Sequence, residues 1–232
     1  PSPHGEMLEF VKPMLAEKGI DLEIVEFTDY VLPNNALVAG DLDANFFQHE
    51  PYLDTYNEKN GTKIAVAGYV HFEPLGIYPG KTASLNDKKD GMEIAVPNDV
   101  TNEARALQLL QSQGFFTLNP DAGLEATPMD IIDNPYNVKI VEMDAAAVAI
   151  AIKDVDFAVV NGNFALDAGI IDTILVTEDP SSDAAQKYAN IVAVMPENLE
   201  DARIKALVDA LTSEEMRTHI EETYGVVVVP VF

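Results

Sequence analysis

Asn102 and Arg105 stand where an apolar run, Glu93-Ile94-Ala95-Val96, gives way to the polar turn Pro97-Asn98-Asp99-Val100. A spacing of three puts both side chains on one face of a helix, and Leu107, Leu109 and Leu110, up to Gly114, supply that helix. A guanidinium and an amide in a first helical turn, beside unpaired backbone N–H groups, make a cradle for a small anion such as a carboxylate. An ordinary strand–helix junction with a surface arginine would read the same way. Thr101 is the expected N-cap through its hydroxyl. A second strand end carries amides, Val159-Val160-Asn161-Gly162-Asn163. Ligands of open α/β sheets collect beyond the carboxyl ends of strands, so Asn161 and Asn163 are candidates for the same crevice. An amide can meet an ammonium or a carboxylate. Asn-Gly is equally a turn dipeptide, and both readings stand.

Aromatic residues gather at other strand ends. Phe46-Phe47-Gln48-His49-Glu50-Pro51-Tyr52 closes one, and Tyr69, His71, Phe72 and Tyr78 gather in another stretch. Such residues wall apolar pockets, and a thioether gains from contact with them. Phe46 and Phe47 read as core, whereas Tyr52, His71 and Tyr78, in turn-like or extended contexts, read as pocket candidates. The histidines (His4, His49, His71, His219) show no ligand spacing such as H-x-x-x-H, and no metal or cofactor is expected. The G-x-S-x-G, P-loop and G-x-G-x-x-G strings are absent, so hydrolase, NTPase and dinucleotide chemistry lack their marks.

The elements that must carry these residues alternate. Helical spacing covers 6–16, strand-like alternation Leu22 to Phe27, a short helix 33–39 closed by Gly40, a strand 44–47, a helix 51–60 stopped by Gly61, and a strand 64–70. The segment from His71 to Gly80, aromatic and dotted with Pro and Gly, reads as an extended crossing between lobes. A second run follows: strand 93–96, helix 102–113, a short helix 128–132, strand 138–142, helix 145–152 and strand 157–160. Helices return at 202–211 and 213–224, with Thr212-Ser213-Glu214-Glu215 at capping-box spacing for the second. Acidic turns precede two of the strands, at 40–44 and 153–157, a weak echo consistent with two lobes. Strand–helix alternation predicts α/β lobes with mostly parallel sheets flanked by helices.

With 14 Lys+Arg against 39 Asp+Glu, the formal charge is -25. Phosphate backbones and anionic headgroups repel such a chain, so neither nucleic acid nor direct membrane-surface binding is expected. No cysteine is present, which removes disulfides, thiol catalysis and thiolate metal sites. No apolar run approaches the ~20 residues that span a bilayer. The opening Pro1-Ser2-Pro3-His4-Gly5 reads as a turn and leads us to expect further sequence upstream.

Several strings together carry a resemblance: Asp29-Tyr30-Val31-Leu32-Pro33-Asn34, Asp43-Ala44-Asn45-Phe46-Phe47-Gln48-His49-Glu50-Pro51-Tyr52-Leu53, 96–105, 138–145 and 159–165. The chain resembles the NlpA/MetQ-type methionine-binding lipoproteins, solute receptors of bacterial methionine ABC importers, over essentially its whole length. The resemblance implies a two-lobed α/β fold of the periplasmic-binding-protein (type II) kind that holds methionine between lobes and delivers it to a permease. It implies lobe I as 1–77 plus 190–232 and lobe II as 78–189. Arg105 and Asn102 would grip the amino-acid backbone with help from Asn161, and Asn163 stays a candidate from its strand end. Tyr52, His71 and Tyr78 would surround the side chain, and Phe72 stays a candidate from its aromatic stretch. His71 stands where some relatives carry another aromatic. The resemblance also implies an extracytoplasmic lipoprotein, touching the membrane only through an upstream lipid anchor. The rivals are a receptor of this fold for another amino acid or a methionine-containing dipeptide, and an enzyme built on the fold.

Self-repulsion at -25 is relieved by counterions. The melting temperature should therefore rise from low to moderate ionic strength in a calorimetric salt series, and a flat or falling trend would contradict this.

Overall fold

The structure, a computed structural model, describes residues 1–181 and 187–232. From the start of the chain come helix α1 (His4–Ala16), α2 (Leu32–Ala39), strand β1 (Asn45–His49), α3 (Glu50–Asn60) and β2 (Ala65–Phe72). Next come β3 (Gly76–Pro79), β4 (Glu93–Pro97), α4 (Val100–Ser112), the short pair β5 (Thr117–Leu118) and β6 (Ile131–Asp133), and β7 (Lys139–Met143). Then follow α5 (Ala145–Ala151), β8 (Phe157–Val160), α6 (Gly162–Asp167) and β9 (Val176–Thr177). The chain ends with β10 (Ala189–Val194), α7 (Ala202–Leu211), α8 (Glu214–Tyr224) and β11 (Val229–Pro230). None of the described helices is long and apolar enough to cross a membrane.

The chain forms two compact units: Pro1–Glu73 with Asp179–Phe232, and Pro74–Glu178. These boundaries lie earlier than the 77/78 and 189/190 positions read from the sequence. β3 hydrogen-bonds to β8 inside the second unit, and β10 is an inner strand of the first. Both crossings must therefore precede those strands.

In the first unit the sheet order is β1-β10-β2-β11. Every pairing is antiparallel, which corrects the expectation of mostly parallel sheets while the α/β class holds. β10, returning from the other unit, runs between β1 and β2 and separates two strands that point the same way. Leu37, Leu53, Ile64, Ile191 and Ala193 form a core between this sheet and helices α2 and α3. A closed set of amides joins α2 to β1. Asn34 and Gln48 exchange side-chain bonds at 2.8 Å, and Asn45 Nδ2 donates to Asn34 Oδ1 at 2.9 Å. All three are buried, so each bond removes an otherwise unmatched polar group.

The stretch 22–27 is not a strand. Leu22 and Ile24 are half-buried and Glu23 exposed, as alternation requires, but no described strand pairs with the segment. Likewise 128–132 is one tight turn of 3-10 helix, Pro128–Asp130, running into β6. Gly40 and Gly61 close α2 and α3 in the left-handed conformation, as their positions suggest.

The second unit carries a mixed sheet, β7-β4-β8-β3-β9. β7, β4 and β8 are parallel, and β3 runs antiparallel to β8 and β9. Leu107 and Leu110 of α4 pack on Ile94, Val96, Phe115 and Phe157 on one face. Tyr78, Val148, Ala158 and Val160 fill the other. Gly80 sits where a Cβ would meet the carbonyl oxygens of Ile152 and Val155, each at 2.3 Å, whereas at Gly76 it would meet the side-chain end of Ile174, also at 2.3 Å.

Backbone carbonyls cannot yield as a side-chain tip can. Gly80→Ala should therefore cost about 3 kcal/mol and Gly76→Ala about 1 kcal/mol in urea unfolding; the reverse order would refute the packing argument.

Candidate functional site

β4 and β8 are adjacent and parallel, so the turns that leave them, 98–99 and 161–162, emerge at the same end of the sheet. The N-cap of α4 is Asp99, not Thr101: its carboxylate accepts the backbone N–H of Asn102 at 3.0 Å. A carboxylate accepts more strongly than a hydroxyl, and its charge suits a helix N-terminus. Thr101 lies inside the helix and donates its own hydroxyl to Asp99 at 3.2 Å.

Asp99 also takes the Asn102 side-chain amide on both oxygens, at 3.0 and 3.1 Å. This leaves Asn102 Oδ1 turned to Arg105, whose Nη1 donates to it at 3.1 Å. The far edge of the guanidinium is held by Glu178: Nε donates to Oε1 at 3.1 Å and Nη2 to Oε2 at 2.6 Å. The Arg105 side chain is 3% exposed and that of Glu178 12%. A cation this deep needs such partners, since desolvation would otherwise exceed what an isolated charge recovers. Sequence reasoning missed Glu178. It lies 73 residues beyond Arg105, and no local pattern marks it among so many acids.

Asn161 is the N-cap residue of α6 but gives the helix no side-chain cap. Its Oδ1 is buried without a hydrogen-bond partner among the described residues. Asn163, on the first turn of α6, is half-buried. Tyr78 is buried on β3 in the core with Val148, Val160 and Ala165, and burial pushes its hydroxyl pKa up.

Glu103 shares the first turn of α4 and is buried, with Oε1 unpartnered among the described residues. Burial first, then the hydrogen bond and charge of Glu142 and the charge of Asp99, push its pKa up to about 8. Glu103 is therefore largely protonated at neutral pH, which limits its repulsion with Glu142 and Asp99.

The other candidates belong to the first unit. His49 caps α3, its Nδ1 accepting the Tyr52 N–H at 3.2 Å. The Tyr52 hydroxyl donates to the Tyr30 carbonyl at 2.9 Å, and its half-buried ring meets Tyr30 and Phe47 edge-on at 6.0 and 6.1 Å. Phe47, read from sequence as core, is half-buried in this aromatic set, whereas Phe46 is buried. Phe72 is fully buried with Tyr188. His71 is fully buried too, and its Nε2 lies 2.7 Å from Glu73 Oε1. His4, from the first turn of α1, brings its Nε2 to 2.9 Å from Asn190 Oδ1 and 3.4 Å from the same Glu73 oxygen. Sequence spacing could not show this pairing of His4 with His71. Burial depresses the pKa of His71 to about 3 and that of His4 to about 4, the latter against the attraction of Glu73.

The arrangement can hold an anion at Arg105 and offer a donor-seeking amide oxygen at Asn161. Binding proteins are among the solved structures similar to it. A nutrient-binding protein from Burkholderia cenocepacia, solved bound to methionine, is 41% identical, with a TM-score of 0.93 over 99% of this chain and 96% of that one. A periplasmic substrate-binding protein of an ABC transporter from Coxiella burnetii is 40% identical, with a TM-score of 0.91 over 98% and 95%. The fold is that of two-lobed periplasmic substrate-binding proteins. Among curated sequences, the D-methionine-binding lipoprotein MetQ of Salmonella typhimurium is 40% identical over 217 residues, 91% of this chain and 78% of that protein. The description NlpA lipoprotein matches residues 1–232: the chain belongs to the NlpA lipoprotein family.

The titrations of Glu103 and of the two histidines act on stability in opposite directions. An acid whose pKa rises on folding stabilises fully below its unfolded value, here 4.5, and the gain drains away as pH climbs through 8. Histidines held neutral stabilise fully above 6.5, and their gain is lost as pH falls toward 4 and 3. Glu103→Gln should therefore gain on the parent as pH rises from about 5 to 8.5, by at most ~1.4 kcal/mol per pH unit. Parallel urea-stability curves for the two proteins would show that Glu103 does not titrate in this range.

Proposed function

We propose that this chain is the extracytoplasmic, lipid-anchored receptor of an ABC importer and that it binds methionine for delivery to the permease. The observation that supports it best is the shared sheet end. Arg105, buried and oriented, follows one strand, and Asn161, with its unpartnered amide oxygen, follows the parallel neighbour. A free amino acid carries one carboxylate and one ammonium. In this reading Arg105 takes the carboxylate, with Asn102 setting its orientation, while Asn161 accepts from the ammonium and Asn163 assists.

Recognition of the thioether falls to aromatic rings, with Tyr52 first because its ring is half-buried. His71 and Phe72 are buried in the first unit and Tyr78 in the second, which leaves Tyr52 the most exposed ring of the four candidates. The helix N-terminus adds its partial charge to the guanidinium, and both favour an anion. Nothing in this set supplies a nucleophile with an adjacent base, so binding is the better reading than turnover.

Calorimetry with L-methionine, other amino acids and methionine-containing dipeptides tests the ligand. Methionine should bind the parent most tightly, and Arg105→Ala should weaken it by about 30-fold to several thousand-fold, the equivalent of ~2–5 kcal/mol for one lost partner of a buried charge pair. Melting curves run alongside separate this from unfolding, since the substitution also strands Glu178. Absent methionine binding by the folded parent would refute the reading.

A further inference from the structure

Taking Arg105 as the carboxylate-binding group, we propose that Glu178 is the positioning residue of that grip. It fixes the guanidinium plane for a carboxylate ligand and ties it to the two segments where the chain passes between its units. Two observations support this beyond the ion pair itself. The first is that Glu178 is pinned independently of Arg105. Its Oε2 accepts the Leu75 N–H at 2.8 Å, and its own N–H donates to the Leu75 carbonyl at 3.0 Å. A carboxylate held by its own backbone pairing is part of the frame rather than a stand-in that an arriving ligand would displace.

The second is location. Leu75 follows the change of units at Glu73/Pro74, and Glu178 is the last residue before the change back at Asp179. One carboxylate therefore joins the two crossings to each other and both to Arg105. From the other side Asp99 holds Asn102, and Asn102 holds Nη1. The guanidinium is thus gripped at both ends of its plane, and a fork recognises a carboxylate only when that plane is correctly aimed. Misaiming is expensive because both of the ligand's parallel bonds depend on it.

The test is calorimetry of L-methionine and of methioninol, which lacks the carboxylate, on the parent, Glu178→Gln and Glu178→Asp. Glutamine keeps the shape but turns an NH₂ group toward the arginine donors. Glu178→Gln should weaken methionine by about tenfold or more while leaving methioninol within roughly twofold. Glu178→Asp should recover part of that discrimination. Equal losses for both ligands would make Glu178 merely structural and overturn the proposal. Unchanged or tighter methionine binding in Glu178→Gln would overturn it as well, making Glu178 a competitor of the ligand. Should Glu178→Gln fail to fold by circular dichroism, Glu178→Asp carries the test, with a loss confined to methionine expected and an equal loss overturning it. A folded parent that does not bind methionine refutes the receptor reading instead, before any Glu178 variant is compared.

Discussion

A guanidinium only 3% exposed is the constraint around which the second unit is arranged. Arginine stays charged at any accessible pH, so it cannot escape burial by losing its proton. Partners must be built, and here they come from two places in the chain: Asp99 through Asn102 within one helical turn, and Glu178 from the segment after β9. Once Glu178 is committed, Leu75 is committed too, because its N–H and carbonyl both pair with that residue. The far edge of the sheet is in this way tied to the first turn of α4. A neighbouring Glu103 kept protonated by burial avoids adding a further uncompensated negative charge.

The first unit meets the same cost of burying polarity by a different route. His4 and His71 are neutral, share the Glu73 carboxylate, and lash α1 to the end of β2. The Asn34–Asn45–Gln48 amides do comparable work between α2 and β1 without any charge. The amide set is closed, which is the condition for buried polar groups to specify a structure rather than weaken it, whereas the histidine set leaves His71 Nδ1 without a partner among the described residues. The heavy negative charge of the chain is carried largely outside these sets.

Local chemistry made much of this legible before any coordinates. Strand ends, helix stops at Gly40, Gly61 and Gly114, and the common face of Asn102 and Arg105 all follow from periodicities of two and 3.6 and from turn residues. Most of what failed depended on a partner distant in sequence. Leu22 to Phe27 alternates as a strand does but has no described ladder neighbour. β1 and β2 run in the same direction, and only the return of β10 between them makes the sheet antiparallel. Glu178 and His4 have no local signature at all. Even the cap was decided by strength among close rivals, Asp99 over Thr101, where both residue types are good caps.

The same distinction separates two kinds of motif residue. In the string from Asp43 to Leu53, Asn45 and Gln48 spend their side chains on Asn34 inside the first unit, and His49 spends its Nδ1 on capping α3. Their types are demanded by architecture, since a buried amide ladder tolerates neither a longer side chain nor an apolar one without stranding a partner. Asn161 differs. It has the same chemistry and comparable burial, yet its oxygen meets no described donor. The amides of Asn34, Asn45 and Gln48 are satisfied within the first unit, whereas Asn161 Oδ1, like His71 Nδ1 and Glu103 Oε1, is buried without a partner among the described residues. In the proposed receptor that acceptor takes the ligand's ammonium, since an open buried oxygen gains most from a charged donor.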